Sequence, residues 1–162
     1  MSPAGTFWSF SLRIYGAPGV ESACLDLQDR FGADVNLVLY CLWIGRALTP
    51  EALEQALEAA TPVQSYIRPL REMRRTLPKD AAVRDAVKKA ELAAEKLEQD
   101  TLEALGEAGA ANAAAALATL GLYAAYLDAD VSAFLEAAMP LVNAINPHPG
   151  PPSPRTGGPS SS

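Results

Sequence analysis

The stretch Cys24-Leu25-Asp26-Leu27-Gln28-Asp29-Arg30-Phe31-Gly32-Ala33-Asp34-Val35-Asn36-Leu37-Val38-Leu39-Tyr40-Cys41-Leu42-Trp43-Ile44-Gly45 decides how this chain is read. In its first half Cys24, Leu27 and Phe31 recur at helical spacing behind Val20, while Glu21, Asp29 and Arg30 lie off that stripe. Gly32 is placed to end this helix, and Asp34 to cap the next. The second half is of another kind. The eleven residues from Val35 to Gly45 carry one polar side chain, Asn36, and set apolar groups at every angle of a helical wheel. A helix apolar all round must be buried in a core or in a membrane. Spanning a bilayer takes about 20 residues, so the run reads as a central core helix over residues 35–47 around which the chain wraps.

Upstream, Thr6 is placed to cap a first helix with Phe7, Phe10 and Ile14 on one face, broken at Gly16-Ala17-Pro18-Gly19. Downstream, Thr49-Pro50-Glu51 has the form of an N-cap, a first-turn proline and an acidic first turn. That helix is expected to stop near Thr61-Pro62, with a separate basic segment from Val63 to Leu77 interrupted at Pro69. From Asp80 to about Gly106 runs the longest helix, with Val83, Val87, Ala90, Ala94, Leu97, Thr101 and Ala104 as a seam of mostly small residues. Glu91, Glu95 and Glu98 then form its solvent face. The alanine-rich helix Ala110 to Leu127 is expected to fold back on it as an antiparallel hairpin. Asp130 is positioned to cap a last helix, kinked at Pro140. The fold class is all-α: one domain over 5–146 of six to seven helices, with a Pro/Gly/Ser tail over 147–162 expected to be disordered.

Composition narrows the function. The chain has 162 residues, two cysteines, one histidine and a net charge of −6. His148 lies in the tail, so histidine acid–base chemistry, Ser-His-Asp triads and histidine-rich zinc sites are excluded from the folded part. Cys24 and Cys41 fall on apolar faces and read as small core hydrophobes. Met1 to Tyr15 lacks a basic leader followed by a long apolar run, so neither a secretory signal nor a membrane span is expected, and the compartment expected is the cytoplasm. No phosphate-cradling glycine loop, dinucleotide fingerprint or nucleophile elbow occurs, and no cofactor is implied.

Several stretches together resemble a known family. They are Phe7-Trp8-Ser9-Phe10-Ser11-Leu12, Gly19-Val20, Cys24 to Asp29, Gly32 to Leu37, and Leu42-Trp43. Further on come Leu70-Arg71 with Arg74-Arg75, and Ala90-Glu91-Leu92-Ala93-Ala94-Glu95. The chain resembles, over roughly Phe7 to Leu105, the small, mainly proteobacterial proteins grouped as domain of unknown function 2390. It departs from them at Pro62 to Tyr66, where the resemblance leads one to expect a tryptophan. The family brings no established activity with it.

Three groups of residues are candidates for a site. Asp26 and Asp29, three apart on one helix and followed by Asp34 and Asn36, form a polar cluster of the kind that holds Mg²⁺ through oxygen ligands; a solvated face plus an N-cap is the plainer account. Asn36 alone needs partners if buried, and a helix-end or loop backbone group is the expected one. Arg68, Arg71, Arg74 and Arg75 open a basic segment reaching Lys89, with eight basic against three acidic residues from Val63 to Lys89. Such a face suits phosphate or carboxylate groups, or pairs with the protein's own acidic helices. The leading expectation is a small helical protein-interaction or regulatory module with a protein partner. An RNA- or ribosome-associated factor using Arg68 to Lys89 is the first alternative, and a metal-dependent enzyme at Asp26 and Asp29 the second.

Overall fold

The computed structural model describes residues 6–145. They form seven α-helices and no strand: α1 Phe7–Tyr15, α2 Val20–Phe31, α3 Val35–Trp43, α4 Pro50–Thr76, α5 Ala82–Glu103, α6 Ala113–Tyr126 and α7 Val131–Ile145. No helix among the described residues is long and apolar enough to cross a membrane. The expected tail, His148 included, lies outside them.

The caps sit where the side-chain chemistry places them. Thr6, Thr49 and Asn112 accept from the backbone N–H three residues on, at 3.1, 3.1 and 3.0 Å. Asp34 accepts from the Asn36 N–H at 3.0 Å, and Asp130 from the Ala133 N–H at 2.9 Å. Gly32 closes α2 in the left-handed conformation, φ 66°.

Every residue of α3 is buried, and the helix lies against all six others. Phe7 stacks on Trp43 with ring centroids 5.2 Å apart, which anchors α1 to the end of α3. The helix stops at Trp43, short of the expected residue 47, for a tertiary reason. The Gly109 N–H donates to the Ile44 carbonyl at 3.0 Å, so the α5–α6 loop crosses the chain at Gly45. A Cβ on Gly45 would stand 2.5 Å from the Ala110 carbonyl oxygen, and its φ is +70°. Gly32 has a similar φ and open space around it. Gly32→Ala should therefore cost only the left-handed strain, about 1–2 kcal/mol, and Gly45→Ala clearly more; urea unfolding of the two variants checks the order.

Three expectations about the long helices are corrected. First, α4 does not end at Thr61-Pro62. It runs for 27 residues, through both Pro62 and Pro69. Each proline removes one backbone donor and crowds the preceding turn. The two lie seven apart on the exposed side, where Glu58 and Ser65, whose carbonyls lose their partners, also meet solvent. Water can satisfy those carbonyls, while Ala56, Ala60, Val63 and Ile67 keep an unbroken buried stripe.

Second, α5 pairs with α4 rather than α6, and α6 packs on α7. The antiparallel hairpin is thus α4–α5. Third, α5 turns a different face inward. Val83 and Leu97 of the expected seam are exposed, whereas Glu91 and Glu98 are buried with Val87, Gln99 and Leu102. Acidic residues are almost never fully buried unless partnered. Here the partners come from α4 and α3. The expected kink aside, α7 is continuous through Pro140.

Candidate functional site

At the centre of the bundle the start of α3 meets the C-terminal part of α5 in a buried polar layer. Gln99 donates from Nε2 to Asn36 Oδ1 at 2.9 Å, and Asn36 donates from Nδ2 to Glu98 Oε2 at 3.1 Å. Gln64 of α4 donates to the same oxygen at 2.8 Å. Ser11 of α1 feeds the other end, donating to Gln99 Oε1 at 3.1 Å. Each amide is therefore held in one orientation. Tyr123 of α6 closes the layer, its hydroxyl accepting from the Asp34 N–H at 2.8 Å. Asn36 bonds side chains of α5 and not the backbone group expected of it.

Two buried oxygens have no conventional donor, Asp34 Oδ2 and Glu98 Oε1. A proton on Glu98 supplies one. Burial, and then its hydrogen bond and charge contact with Asp34, hold the Glu98 carboxyl far above the usual carboxylate range. Glu98 thus keeps its proton in this poorly solvated layer, and that proton is available to Asp34 Oδ2.

One to two turns back along α5, at Glu95 and Glu91, lies a charged layer. Arg74 holds Glu91 through two contacts, one from Nε and one from NH2 at 3.2 Å. Arg71 approaches Glu91 at 3.7 Å and Glu95 at 4.0 Å. With the Gln28 amide assigned so that its oxygen faces Arg71, the orientation that satisfies both groups, the two terminal nitrogens of Arg71 donate to it at 3.0 and 2.9 Å. Glu95 accepts no hydrogen bond among the described residues, and its carboxyl is pushed up to about 7 by burial and the neighbouring Glu91, against the lowering effect of Arg71 and Arg74.

These two layers form the floor and one wall of a cleft of about 350 Å³ under α1. Ser11, Asn36 and Gln99 lie at the bottom, and Arg71 and Glu95 on the side. Trp8, Leu12, Tyr15 and Leu92 frame the mouth. Leu12 is 59% exposed and Leu92 53%, so the rim is apolar surface left open to water. Asp34 and Gln64 also line a second cleft of about 300 Å³ on the far side of the buried layer, with Arg68, Tyr123 and Tyr126.

The residues singled out from the sequence separate. Asp34 and Asn36 belong to the buried layer. Asp26 instead pairs with Arg30 at 2.8 Å on the surface, and Asp29 faces Arg75 at 3.4 Å. Both acids thus already face protein cations, and no group of three potential metal-ligating side chains exists among the described residues. Of the four arginines, Arg71 and Arg74 point into the charged layer, Arg75 lies half exposed against Asp29, and Arg68 stands at the rim of the second cleft with no carboxylate partner among the described residues. Glu91, Glu95 and Glu98, expected on the solvent face, are the acids that build the site. Burial raises the Cys24 thiol to about 11 and the Cys41 thiol to about 12, so neither offers a thiolate at neutral pH.

A signal for the cleft was present in the chain, though not in its periodicity. Ten of the twelve lining residues, all but Tyr15 and Gln99, fall in the stretches that carry the family resemblance.

Over the described residues the fold and the site together define a bundle of seven helices with a preformed cleft, polar at its floor and apolar at its mouth. The family model described as "Protein of unknown function (DUF2390)" matches residues 6–102, and the chain belongs to that family. The match takes in α1 to α4 and nearly all of α5, and so every lining residue of the larger cleft. No curated protein and no solved structure matches the chain.

Proposed function

We propose that the protein is a small helical interaction module that docks an apolar-rich segment of a protein partner at the cleft under α1. The observation that carries this reading is the exposed rim of Leu12, Tyr15 and Leu92 around a cleft whose polar floor already satisfies itself. Exposed apolar side chains gathered around a concavity mark interaction sites, whereas the same residues scattered singly do not. The volume is of ligand-pocket size, and the fixed amides below it keep the cleft open without an occupant. Nothing comparable supports the arginine segment as a nucleic-acid face. Two of its four α4 arginines are spent on Glu91 and Glu95, and Tyr66 is the sole aromatic among them.

A photo-crosslinking residue placed at Leu12, compared with one at the exposed Leu122 on α6, tests the site. A discrete adduct should form from Leu12 and not from Leu122, and it should disappear when Leu92→Asp places a charge on the rim. Equal adducts from both positions would sink the reading.

A further inference from the structure

The two layers that border the cleft hold two guanidinium groups, Arg71 and Arg74, against four carboxyl groups, Asp34, Glu91, Glu95 and Glu98, and of these Arg71, Asp34 and Glu95 line the cleft itself. Protons make up the difference. Glu98 takes one deep in the fold, where Asn36, Gln64 and Asp34 enclose it. Glu95 is the other acid in excess, and its situation differs. It lies on the wall of the cleft, it also borders a smaller adjoining hollow of about 160 Å³, and its nearest cation is 4.0 Å away. Arg71 has less freedom: it is ion-paired with Glu91 at 3.7 Å, and with the Gln28 amide oxygen turned towards it both of its terminal nitrogens bond Gln28. Ser11, Gln99 and Asn36 are likewise committed to each other. The open valence of the cleft is therefore an acceptor with negative charge, beneath a rim of two aromatic and two aliphatic side chains.

Resting on the docking reading above, we infer that the cleft receives one lysine or arginine side chain of the partner segment, its cationic head on Glu95 and its alkyl stem against Trp8, Leu12, Tyr15 and Leu92. Charge complementarity selects this occupant. A cation on Glu95 replaces the proton that the acid excess otherwise demands, and a charge-assisted hydrogen bond in a partly desolvated cleft is stronger than one in water. A long basic side chain also suits the rim, since its methylene stem buries apolar surface while its head stays paired. An anionic head would instead meet Glu95 and Asp34, with Arg71 already engaged.

The pH dependence follows from the groups around Glu95. Arg71 and Arg74 of α4 favour its ionised form, while burial, Glu91 on its own helix and Asp34 before α3 oppose it. Tyr15 of α1 and Cys24 of α2 stay neutral, both held up by burial. Glu95 therefore ionises around pH 7, and the cation gains its partner between pH 6 and pH 8.

Nuclear magnetic resonance titration of the full chain with three probes of similar shape tests this: 3-phenylpropylamine, 3-phenylpropanol and 4-phenylbutanoate. The amine should shift the amides of Trp8, Leu12, Tyr15 and Leu92. It should bind at least about tenfold more tightly than the alcohol, and gain about tenfold from pH 6 to pH 8 while remaining charged itself. Glu95→Gln, an isosteric change at a partly exposed position, should remove both the preference and the pH dependence. Equal binding of amine and alcohol, or tighter binding of the acid, overturns the cationic occupant and leaves the docking reading intact. No probe binding while the Leu12 crosslink still forms has the same meaning. Loss of both the probe shifts and the crosslink would overturn the two together.

Discussion

Glu98→Ala should be among the most damaging single substitutions in this protein, at roughly 3–5 kcal/mol. The side chain is 0% exposed. Removing it strands the Asn36 and Gln64 donors, leaves Asp34 Oδ2 without the Glu98 proton, and opens a cavity between α3, α4 and α5. A buried donor left unpaired costs about 1–3 kcal/mol by itself. Glu98→Gln should behave in the opposite way. Its carboxamide oxygen can accept from Asn36 and Gln64, and its NH₂ can donate to Asp34, as the protonated acid does. The fold should therefore survive.

The two proteins should diverge with pH. The native Glu98 keeps its proton where an unfolded glutamate, with a value of about 4.3, has lost it. Above that pH the folded chain binds more protons than the unfolded one, so stability falls as pH rises until Glu98 itself ionises. The slope for one proton is at most about 1.4 kcal/mol per pH unit. Glu98→Gln abolishes this term, and its advantage over the parent should widen from pH 5 upward. Glu95, raised to about 7, adds a loss in the same direction to both proteins and cancels in the comparison. Urea melts of parent and variant at pH 5, 7 and 9 give the answer; a constant difference would mean that Glu98 is already ionised in the fold.

Leu39→Ala should cost roughly 2–5 kcal/mol, the range for emptying a well-packed leucine site. Leu39 is wholly buried in α3, which lies against every other helix, so no surrounding element can close on the void without moving another. Leu97→Ala is the informative companion. The seam read from the sequence puts Leu97 inside α5's packed face, whereas the fold leaves it 53% exposed. A change below about 0.5 kcal/mol for Leu97 beside a large loss for Leu39 is the expected pair, measured by the same urea melts. A large loss at Leu97 would restore the small-residue seam and displace the acidic face from the core.

What the sequence by itself determined is local or summed over a segment. An eleven-residue run with no polar side reads as a core helix from any starting point, because no packing arrangement can leave it in water. The caps at Thr6, Asp34, Thr49 and Asp130 depend on a short side chain reaching the next turn's N–H groups, which their own sequence settings supply. Family membership likewise followed from short stretches of residues. The tertiary structure decided which helices pair and which face of each turns inward. Through Pro62 and Pro69, local sterics favoured a stop, and the packed stripe of Ala56, Ala60, Val63 and Ile67 outweighed them because both prolines face water. On α5 a choice between apolar and charged faces reads as apolar inward, since an isolated buried glutamate is prohibitively costly. The cost is met only by Arg71, Arg74, Asn36 and Gln64, which come from other helices and lie between 17 and 62 residues away. No window along α5 contains them, and so the cleft becomes visible only once α1 to α5 are assembled.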